Sequence, residues 1–210
     1  MRGGYSKIRY ALIGLAPFSF NYDTSKASNL SFLMLHYLIA FNDLHNFHIP
    51  ADVYRKFLRE EYFATRLPLE PFDVNNPFYT KQPLQFMTRE KQLKARESIN
   101  AWANKNYPET FVENVKILDE YLTLCEENNI RPIMFLVPMP EGYIKHFNRR
   151  IIDGLYYAVK QACRKHSSAI FLDGWKLQGF TDRDFYDYGH MNIAGAAKFS
   201  AFLNDFIESL

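Results

Sequence analysis

Three short apolar runs constrain the fold of this chain more than any other feature. They span residues 8–14, 132–137 and 169–172, and Gly or Pro stands at or just after each end. None of the runs alternates between apolar and polar side chains, which is typical of parallel strands covered on both faces. We therefore predict an α/β domain with a parallel sheet and right-handed crossovers.

Amphipathic helices are predicted between and after these strands. Apolar residues recur at steps of three and four ahead of the second and third strands: Phe111, Val115, Leu118, Leu122 and Cys125, then Ile151, Leu155, Tyr156 and Val159. A last helix is predicted over residues 193–207, with Asn192 as its N-cap. The residues predicted to share its inward face are Ala196, Ser200, Leu203 and Ile207.

The chain has 210 residues, which suits a single domain, residues 1–210, that carries one large insertion. The insertion spans about residues 23–107 and is predicted to hold helices near 29–44, 51–63 and 88–105 and a Pro-rich loop at 67–83. It would follow the first strand on the carboxyl side of the sheet, where open α/β sheets bind ligands. We expect it to form a lid or an interaction surface.

A sheet of three strands is thin for such a domain. Its first strand, with Tyr10, Ala11, Leu12 and Ile13, is apolar enough to favour a central position. At an edge, the same strand would present unpaired backbone groups to water. We therefore expect further strands of the sheet to lie upstream of Met1, or to be supplied by a partner that pairs with this strand.

Charge and cysteine content exclude several classes of function. The net charge is +2, and no Lys/Arg run is long enough to follow a phosphate backbone, so nucleic-acid binding is not expected. Cys125 and Cys163 fall in helical patterns and are predicted to be small buried hydrophobes. The chain shows no signal peptide and no apolar run that could cross a bilayer, so we expect a cytoplasmic protein.

The histidines outside the last block suggest no cofactor chemistry. His45 and His48 lie three residues apart after Asp43, but no Cys or second acidic cluster is near them in sequence, so no metal site is predicted. No Gly-rich nucleotide loop is present and no cofactor is expected. His146 and His166 are predicted to be helix residues that face solvent.

Asp187 and His190 form the most informative pattern in the sequence. An Asp three residues before a His, just beyond a strand end, can accept a hydrogen bond from one ring N–H. The other ring nitrogen can then take a proton from a hydroxyl nucleophile. Asn192 would start the final helix, and Gly195 would let that helix pack close to the sheet.

This block reads D-x-x-H-x-N-x-x-G-A from Asp187 to Ala196. It resembles the last conserved block of SGNH (GDSL-type) hydrolases, most closely the branches that modify bacterial polysaccharides, including the D-alanyl-teichoic-acid and alginate O-acetylation proteins. The resemblance implies a three-layer, flavodoxin-like parallel sheet. It also implies a Ser-His-Asp triad in which His190 is the general base and Asp187 orients it.

The family's nucleophile is a Ser in a Gly-x-Ser motif after the first strand, and two alignments are open here. If Gly14-Leu15-Ala16 is that motif, Ala16 occupies the nucleophile position. If residues 7–14 instead resemble the family's third strand, Gly14 matches the Gly of a Gly-x-Asn block and Ala16 replaces the Asn that donates to the oxyanion. The nucleophile would then lie upstream of Met1.

Two polar residues after the first strand are the candidate substitutes. Ser19 could act as the nucleophile, although an ordinary loop serine is the alternative because no Gly flanks it. Asn21 could donate to an oxyanion, although an Asn beside Tyr22 and Asp23 also suits a turn. Asn21 and Gly14 are the candidate substrate-binding residues.

The leading hypothesis is an SGNH-like esterase or O-acyltransferase that acts on an acylated carbohydrate or cell-surface polymer, and that is inactive if this chain lacks a nucleophile. The alternative is a truncated or degenerate SGNH-like module that binds a glycan or a protein partner without catalysis. A generic flavodoxin-like binding protein is a third possibility, weakened by the Asp187/His190 block and by the lack of a phosphate loop.

Overall fold

The computed structural model describes residues 8–23, 93, 94, 96, 97, 99, 107–187 and 189–210. The chain divides into two compact units, one of residues Met1–Tyr22 and Pro77–Leu210 and the other of residues Asp23–Asn76. All the elements below belong to the first unit. In the second unit Asp23 alone lies within the described residues.

The described part of the chain contains one parallel sheet of three strands in the order β1-β2-β3, formed by Tyr10–Leu15, Arg131–Leu136 and Ile170–Asp173. Each strand coincides with one of the three apolar runs to within two residues at either end. Leu12 pairs with Ile133, and Ile133 in turn pairs with Ile170. The prediction of an α/β fold with a parallel sheet is confirmed.

In the described residues from Tyr107 onward, four helices accompany the strands: α1 (Pro108–Glu127), α2 (Glu141–Ile144), α3 (Arg149–Lys165) and α4 (Ile193–Glu208). Two 3-10 turns, Gly174–Lys176 and Asp182–Asp184, lie between β3 and α4. Helix α1 ends where Asn129 takes a left-handed φ of 56°. The N–H groups of Asn129 and Ile130 then bond the carbonyls of Glu126 and Cys125, which satisfies two carbonyls of the last turn.

One face of the sheet packs against α1 and α3. The core there joins alternate residues of the strands to apolar residues of both helices: Leu15, Met134, Leu136, Leu118, Leu122, Leu155, Ala158 and Val159, together with Phe20. The two helical stripes predicted from the sequence therefore face the sheet. Cys125 is buried and Cys163 is half-buried against this core, and both are free thiols whose pKa is raised by burial.

The other face of the sheet packs against α4, through Phe135 and Phe199 with ring centroids 5.7 Å apart. The predicted inward face of α4 is wrong at two of its four residues, because Ala196 and Ser200 are exposed whereas Gly195 and Phe199 are buried; the other two, Leu203 and Ile207, are half-buried. Gly195 lies against the chain at Asp184, so the first turn of α4 buries this residue and leaves Ala196 exposed. The bounds of α4 and its Asn192 N-cap are confirmed.

Strand β1 lies at an edge of the described sheet. On the face shared with α4, Leu12 is 50% exposed although its neighbour Ile133 is fully buried. Gly14 is exposed on the same face. Within the described residues β1 therefore pairs on one side, with β2, and the further neighbouring strand expected from its apolar sequence stays a prediction.

The predicted helices near 29–44 and 51–63, the Pro-rich loop and the pair His45/His48 lie outside the described residues. Of the helix predicted near 88–105, the residues that the structure describes, such as Leu93 and the buried Ile99, are helical. No helix in the described ranges is both long and apolar enough to span a membrane.

Candidate functional site

Residues 185–187 and 189–192 belong to a short loop between the second 3-10 turn and α4, and the loop is closed at its base. Phe185 and Met191 form an isolated antiparallel bridge. The N–H of Tyr186 donates to the carbonyl of His190 at 3.2 Å, and the N–H of Asn192 donates to the carbonyl of Asp184 at 3.0 Å. Since Phe185 is only 1% exposed, it anchors the loop in the core. The tip of the loop, which carries Asp187 and His190, is thereby held in place.

The side chain of Asn192 joins this loop to α4. Its Oδ1 accepts from the N–H of Gly195 at 2.9 Å, which caps the helix. Its Nδ2 donates to the carbonyls of Arg183, at 2.6 Å, and Phe185, at 3.4 Å. The buried amide therefore forms hydrogen bonds with the first turn of α4 and with the backbone before it.

The carboxylate of Asp187 holds the imidazole of His190. Nδ1 of His190 lies 3.0 Å from both Oδ1 and Oδ2 of Asp187. Oδ1 also accepts the N–H groups of Gly189 and His190, each at 2.8 Å. Because a carboxylate only accepts, the proton between the two groups belongs to Nδ1, and Nε2 is the basic nitrogen of the neutral ring.

Hydrogen bonding keeps Asp187 ionised. Partial burial by itself raises the pKa of this carboxyl, but the bonds from His190 and from the N–H of Gly189 more than offset burial, so the pKa lies below its ordinary value. The side chain of His190 is 60% exposed, against 32% for that of Asp187. The pair thus presents an oriented imidazole towards solvent on a carboxylate that stays charged at neutral pH.

The ring of Tyr186 stacks on the imidazole. The two ring centroids are 5.5 Å apart and the ring planes differ by 10°. Tyr186 was not among the predicted site residues, although its place directly before Asp187 was an available signal. Asp187 therefore bonds Nδ1 of His190, and Tyr186 covers one face of its ring.

Ser19 is held in a turn after β1. Its Oγ accepts the N–H of Ala16 at 2.8 Å, and its own N–H donates to the carbonyl of Ala16 at 3.0 Å. Among the described residues no hydrogen bond joins Ser19 Oγ to His190. The role of Ser19 as a nucleophile stays a prediction.

The two predicted substrate-binding residues, Gly14 within β1 and Asn21 after it, differ in their surroundings. The side chain of Asn21 is buried, and its Oδ1 points to α3, where it would lie 3.9 Å from a Cβ on Gly154. Gly14 is exposed near the end of β1, and a Cβ there would meet the ring of Phe135 at 3.5 Å. The buried amide is enclosed, whereas Gly14 is open to solvent.

The predicted site residues lie towards the carboxyl end of the sheet, because parallel strands end on the same side. Ser19 and Asn21 follow the carboxyl end of β1, and His190 follows that of β3 after the two 3-10 turns. Strand β2 lies between them, so the axes of β1 and β3 are about 10 Å apart.

The prediction that His166 faces solvent is wrong. Its side chain is 3% exposed and lies between two carboxylates of α1: Nδ1 is 2.9 Å from Glu126 Oε2, and Nε2 is 2.9 Å from Asp119 Oδ1. Lys165 Nζ also contacts Asp119, at 2.6 Å, and Ser168 Oγ donates to Glu126 at 3.1 Å. The spacing of seven between Asp119 and Glu126, two turns on one helix face, was the available signal.

This cluster favours the protonated imidazole. Burial alone would lower the pKa of His166, but the bonds to Glu126 and Asp119 raise it above its ordinary value. Lys165 and His166 lower the pKa of Asp119, and His166 lowers that of Glu126. An imidazolium therefore joins the end of α3 to α1.

Within the described ranges no group of three His, Cys, Asp or Glu side chains is arranged to hold a metal ion. A groove of about 320 Å³ lies between α1 and α3, with Val115, Leu118 and Ala158 among its lining residues. Its lining belongs entirely to those two helices, so it is separate from the residues predicted for the site.

The chain was compared with protein-family models, curated proteins and solved structures. No family model, no curated protein and no solved structure matches it.

Proposed function

We propose that this chain carries the acid–base half of an SGNH-like esterase or O-acyltransferase site, with an acylated carbohydrate or cell-surface polymer as substrate. The observation that carries the proposal is the double contact of Asp187 with Nδ1 of His190, at 3.0 Å to each oxygen. This contact leaves Nε2 as the nitrogen that accepts a proton.

The reaction follows from that arrangement. Nε2 of His190 takes the proton of a serine hydroxyl while the serine oxygen attacks the acyl carbonyl. The imidazolium, stabilised by the Asp187 carboxylate, returns the proton to the departing alcohol and an acyl-serine remains. Water, or a sugar hydroxyl in a transferase, then attacks the acyl-serine with His190 again as base. A positioned base contributes about 10²–10⁴-fold to such a reaction.

The sheet supports the SGNH-like, flavodoxin-like part of the proposal. Three neighbouring parallel strands that follow the chain in order match the last three strands of a 2-1-3-4-5 sheet. In that reading β1 corresponds to the third strand, which agrees with the alignment of Gly14 to a Gly-x-Asn block. The serine would then be carried by a strand that pairs with β1, and Ser19 is the candidate within the described residues.

The edge of β1 supports the same reading. Its six residues, Tyr10–Leu15, include no charged side chain and no Pro, the features that usually keep an edge strand from pairing. Leu12 is half exposed on a face that a parallel sheet normally covers. We propose a strand, from this protein or from a partner, as the neighbour of β1.

The non-catalytic alternative, an SGNH-like module that binds a glycan or a protein, also has a supporting observation. The Oγ of Ser19 already accepts the N–H of Ala16, and Ala16 stands where an oxyanion-donating Asn would be expected. A serine held in this way is an ordinary turn residue. The cytoplasmic location expected from the sequence stays a prediction in both readings.

An ester-hydrolysis assay tests the proposal. The chain is incubated with acetylated chromogenic esters and acetylated oligosaccharides, beside His190→Ala, Ser19→Ala and, as a control for unspecific imidazole reactivity, His146→Gln. The proposal expects a rate that falls at least 100-fold in His190→Ala and stays unchanged in His146→Gln. Loss of activity in Ser19→Ala would assign the nucleophile, and a fluorophosphonate label located by mass spectrometry would verify it.

Equal rates in all four proteins would overturn the catalytic proposal for this chain. The alternative then makes its own prediction: unacylated and acylated oligosaccharides are titrated by calorimetry with the wild type. Saturable binding would support the glycan-binding reading, and no heat at millimolar glycan would oppose it.

A further inference from the structure

The ring of Tyr186 and the imidazole of His190 are stacked nearly parallel, 5.5 Å between centroids and 10° between planes. The two residues are also joined through the backbone, where the N–H of Tyr186 donates to the carbonyl of His190 at 3.2 Å. The bridge between Phe185 and Met191 closes the loop just outside this pair. The stack therefore stands on a backbone that is fixed at both ends.

The carboxylate of Asp187 cannot by itself fix the whole ring. Both of its oxygens contact the same atom, Nδ1, so they restrain one end of the imidazole. The terminal torsion of a His side chain has a broad energy well, so a ring held at one atom can still swing about it. With 60% of the side chain exposed, the surrounding protein encloses less than half of it.

The Tyr186 ring against one face adds a second restraint, which acts on the plane of the imidazole. Swinging the imidazole out of its plane would drive it into the Tyr186 ring or break the stack. The π face of a tyrosine also attracts a cation, so the same contact favours the imidazolium that His190 becomes when it accepts a proton.

We propose that Tyr186 is a positioning residue that fixes the plane of the His190 imidazole, keeps Nδ1 against the Asp187 carboxylate that selects its tautomer, and so sets the direction of Nε2. For its catalytic meaning this inference rests on the proposed function. The claim that the stack selects one ring orientation is independent of the proposed function.

NMR of the ¹⁵N-labelled protein tests the stack directly. The variants are Tyr186→Leu, which removes the aromatic face, and Tyr186→Phe, which keeps it. Tyr157→Leu is the control, since Tyr157 is an exposed tyrosine on α3. In the wild type and in Tyr186→Phe we expect His190 ring protons moved upfield by the tyrosine or phenylalanine ring, with ring nitrogen shifts of a single Nδ1–H tautomer. Tyr186→Leu is expected to lose the upfield shift and to show a mixture of tautomers.

Kinetics give the second readout. If the chain hydrolyses esters, Tyr186→Leu is expected to lower kcat about 2- to 5-fold with KM unchanged, and Tyr186→Phe is expected to restore the wild-type rate. A lower kcat with an unchanged KM indicates a residue that acts on the base, because a residue that binds substrate would change KM.

The outcomes separate the two proposals. Unchanged His190 shifts and tautomer in Tyr186→Leu overturn the positioning role whatever the activity. Hydrolysis that depends on His190 but has the same kcat in Tyr186→Leu also overturns it and leaves the proposed function standing. If no ester is hydrolysed, the proposed function fails, and the NMR comparison alone decides whether Tyr186 sets the ring.

Discussion

A Cβ atom on Gly195 would lie 2.0 Å from the carbonyl oxygen of Asp184, well inside van der Waals contact. The first turn of α4 and the base of the Asp187–His190 loop therefore meet backbone to backbone. The sequence predicted a close approach by Gly195, but to the sheet, and the structure shows that its neighbour is the loop.

Gly195→Ala is expected to lower the free energy of unfolding by about 1–3 kcal/mol, because the methyl group must displace the chain at Asp184. The change has this sign although Ala is the better helix former by about 1 kcal/mol. Gly142→Ala on α2 is the matched control, since a Cβ there meets nothing within 4 Å. Urea unfolding measures both, and equal stability of the two variants would contradict the contact.

Asn192→Ala is expected to lower the free energy of unfolding by about 2–3 kcal/mol, because the helix cap and the two donations from the buried amide are lost together. Asn192→Asp keeps the capping oxygen and loses the donations, so it should fall between Ala and wild type. Asn148→Ala, which removes only the exposed N-cap bond to Arg150 on α3, should cost about 1 kcal/mol. A cost for Asn192→Ala no larger than for Asn148→Ala would show that the loop does not depend on this amide.

Asp187→Asn is expected to lower ester hydrolysis by about 10²–10⁴-fold without unfolding the protein, because an amide no longer fixes the proton on Nδ1 or stabilises the imidazolium. The pKa of Asp187 is lowered in the folded protein, so its contribution to stability is complete above its unfolded value. That contribution is lost as the pH falls through the lower folded value. Unfolding curves of wild type and Asp187→Asn should converge in acid, and a constant difference would refute the shift.

His166→Gln is expected to lower the free energy of unfolding by about 2 kcal/mol near pH 6, because two charge-assisted hydrogen bonds are removed. The folded pKa of His166 is raised, so the stabilisation is complete below its unfolded value of about 6.5 and is lost as the pH rises through the folded value. The pKa values of Asp119 and Glu126 are lowered, so their share is lost in acid. The difference between wild type and variant should peak between about pH 4.5 and 6.5.

The pKa of His146 is shifted in the opposite direction from that of His166. Burial and the nearby Lys145 lower its pKa, so its neutral form is favoured in the folded state. The difference between wild type and His146→Gln should therefore favour the wild type more as the pH rises. Parallel pH profiles for the two histidine variants would contradict the roles assigned to both residues.

The strands and the final helix could be predicted because their signals are local. Apolar runs bounded by turn residues located all three strands, and Asn192 located the start of α4 because capping depends on the next three residues. The rotation of α4 could not be predicted in the same way. The burial of Gly195 depends on its contact with Asp184. From the spacing of apolar residues alone, an inward face with Ala196 and Ser200 fits almost as well as one with Gly195 and Phe199.

The state of His166 depends on groups that are distant in sequence. Its partners Glu126 and Asp119 are 40 and 47 residues away, and only the packing of α3 on α1 brings them to the ring. The pair Asp187–His190 was predictable because its members lie three positions apart in the sequence. The distance from His190 to a nucleophile depends on the whole sheet, which a motif does not describe.

The pairing of β1 with β2 has a consequence for synthesis. Leu12 and Ile133 are neighbours in the sheet although about 120 residues separate them, whereas Ile133 and Ile170 are about 40 residues apart. Closing the longer loop costs about 1 kcal/mol more, so β2, α3 and β3 are expected to assemble first. At 5–20 residues per second, β1 leaves the ribosome about 6–24 s before its partner exists. During that interval an uncharged, apolar segment lacks its partner β2, which makes the nascent chain prone to aggregation and a candidate for chaperone binding.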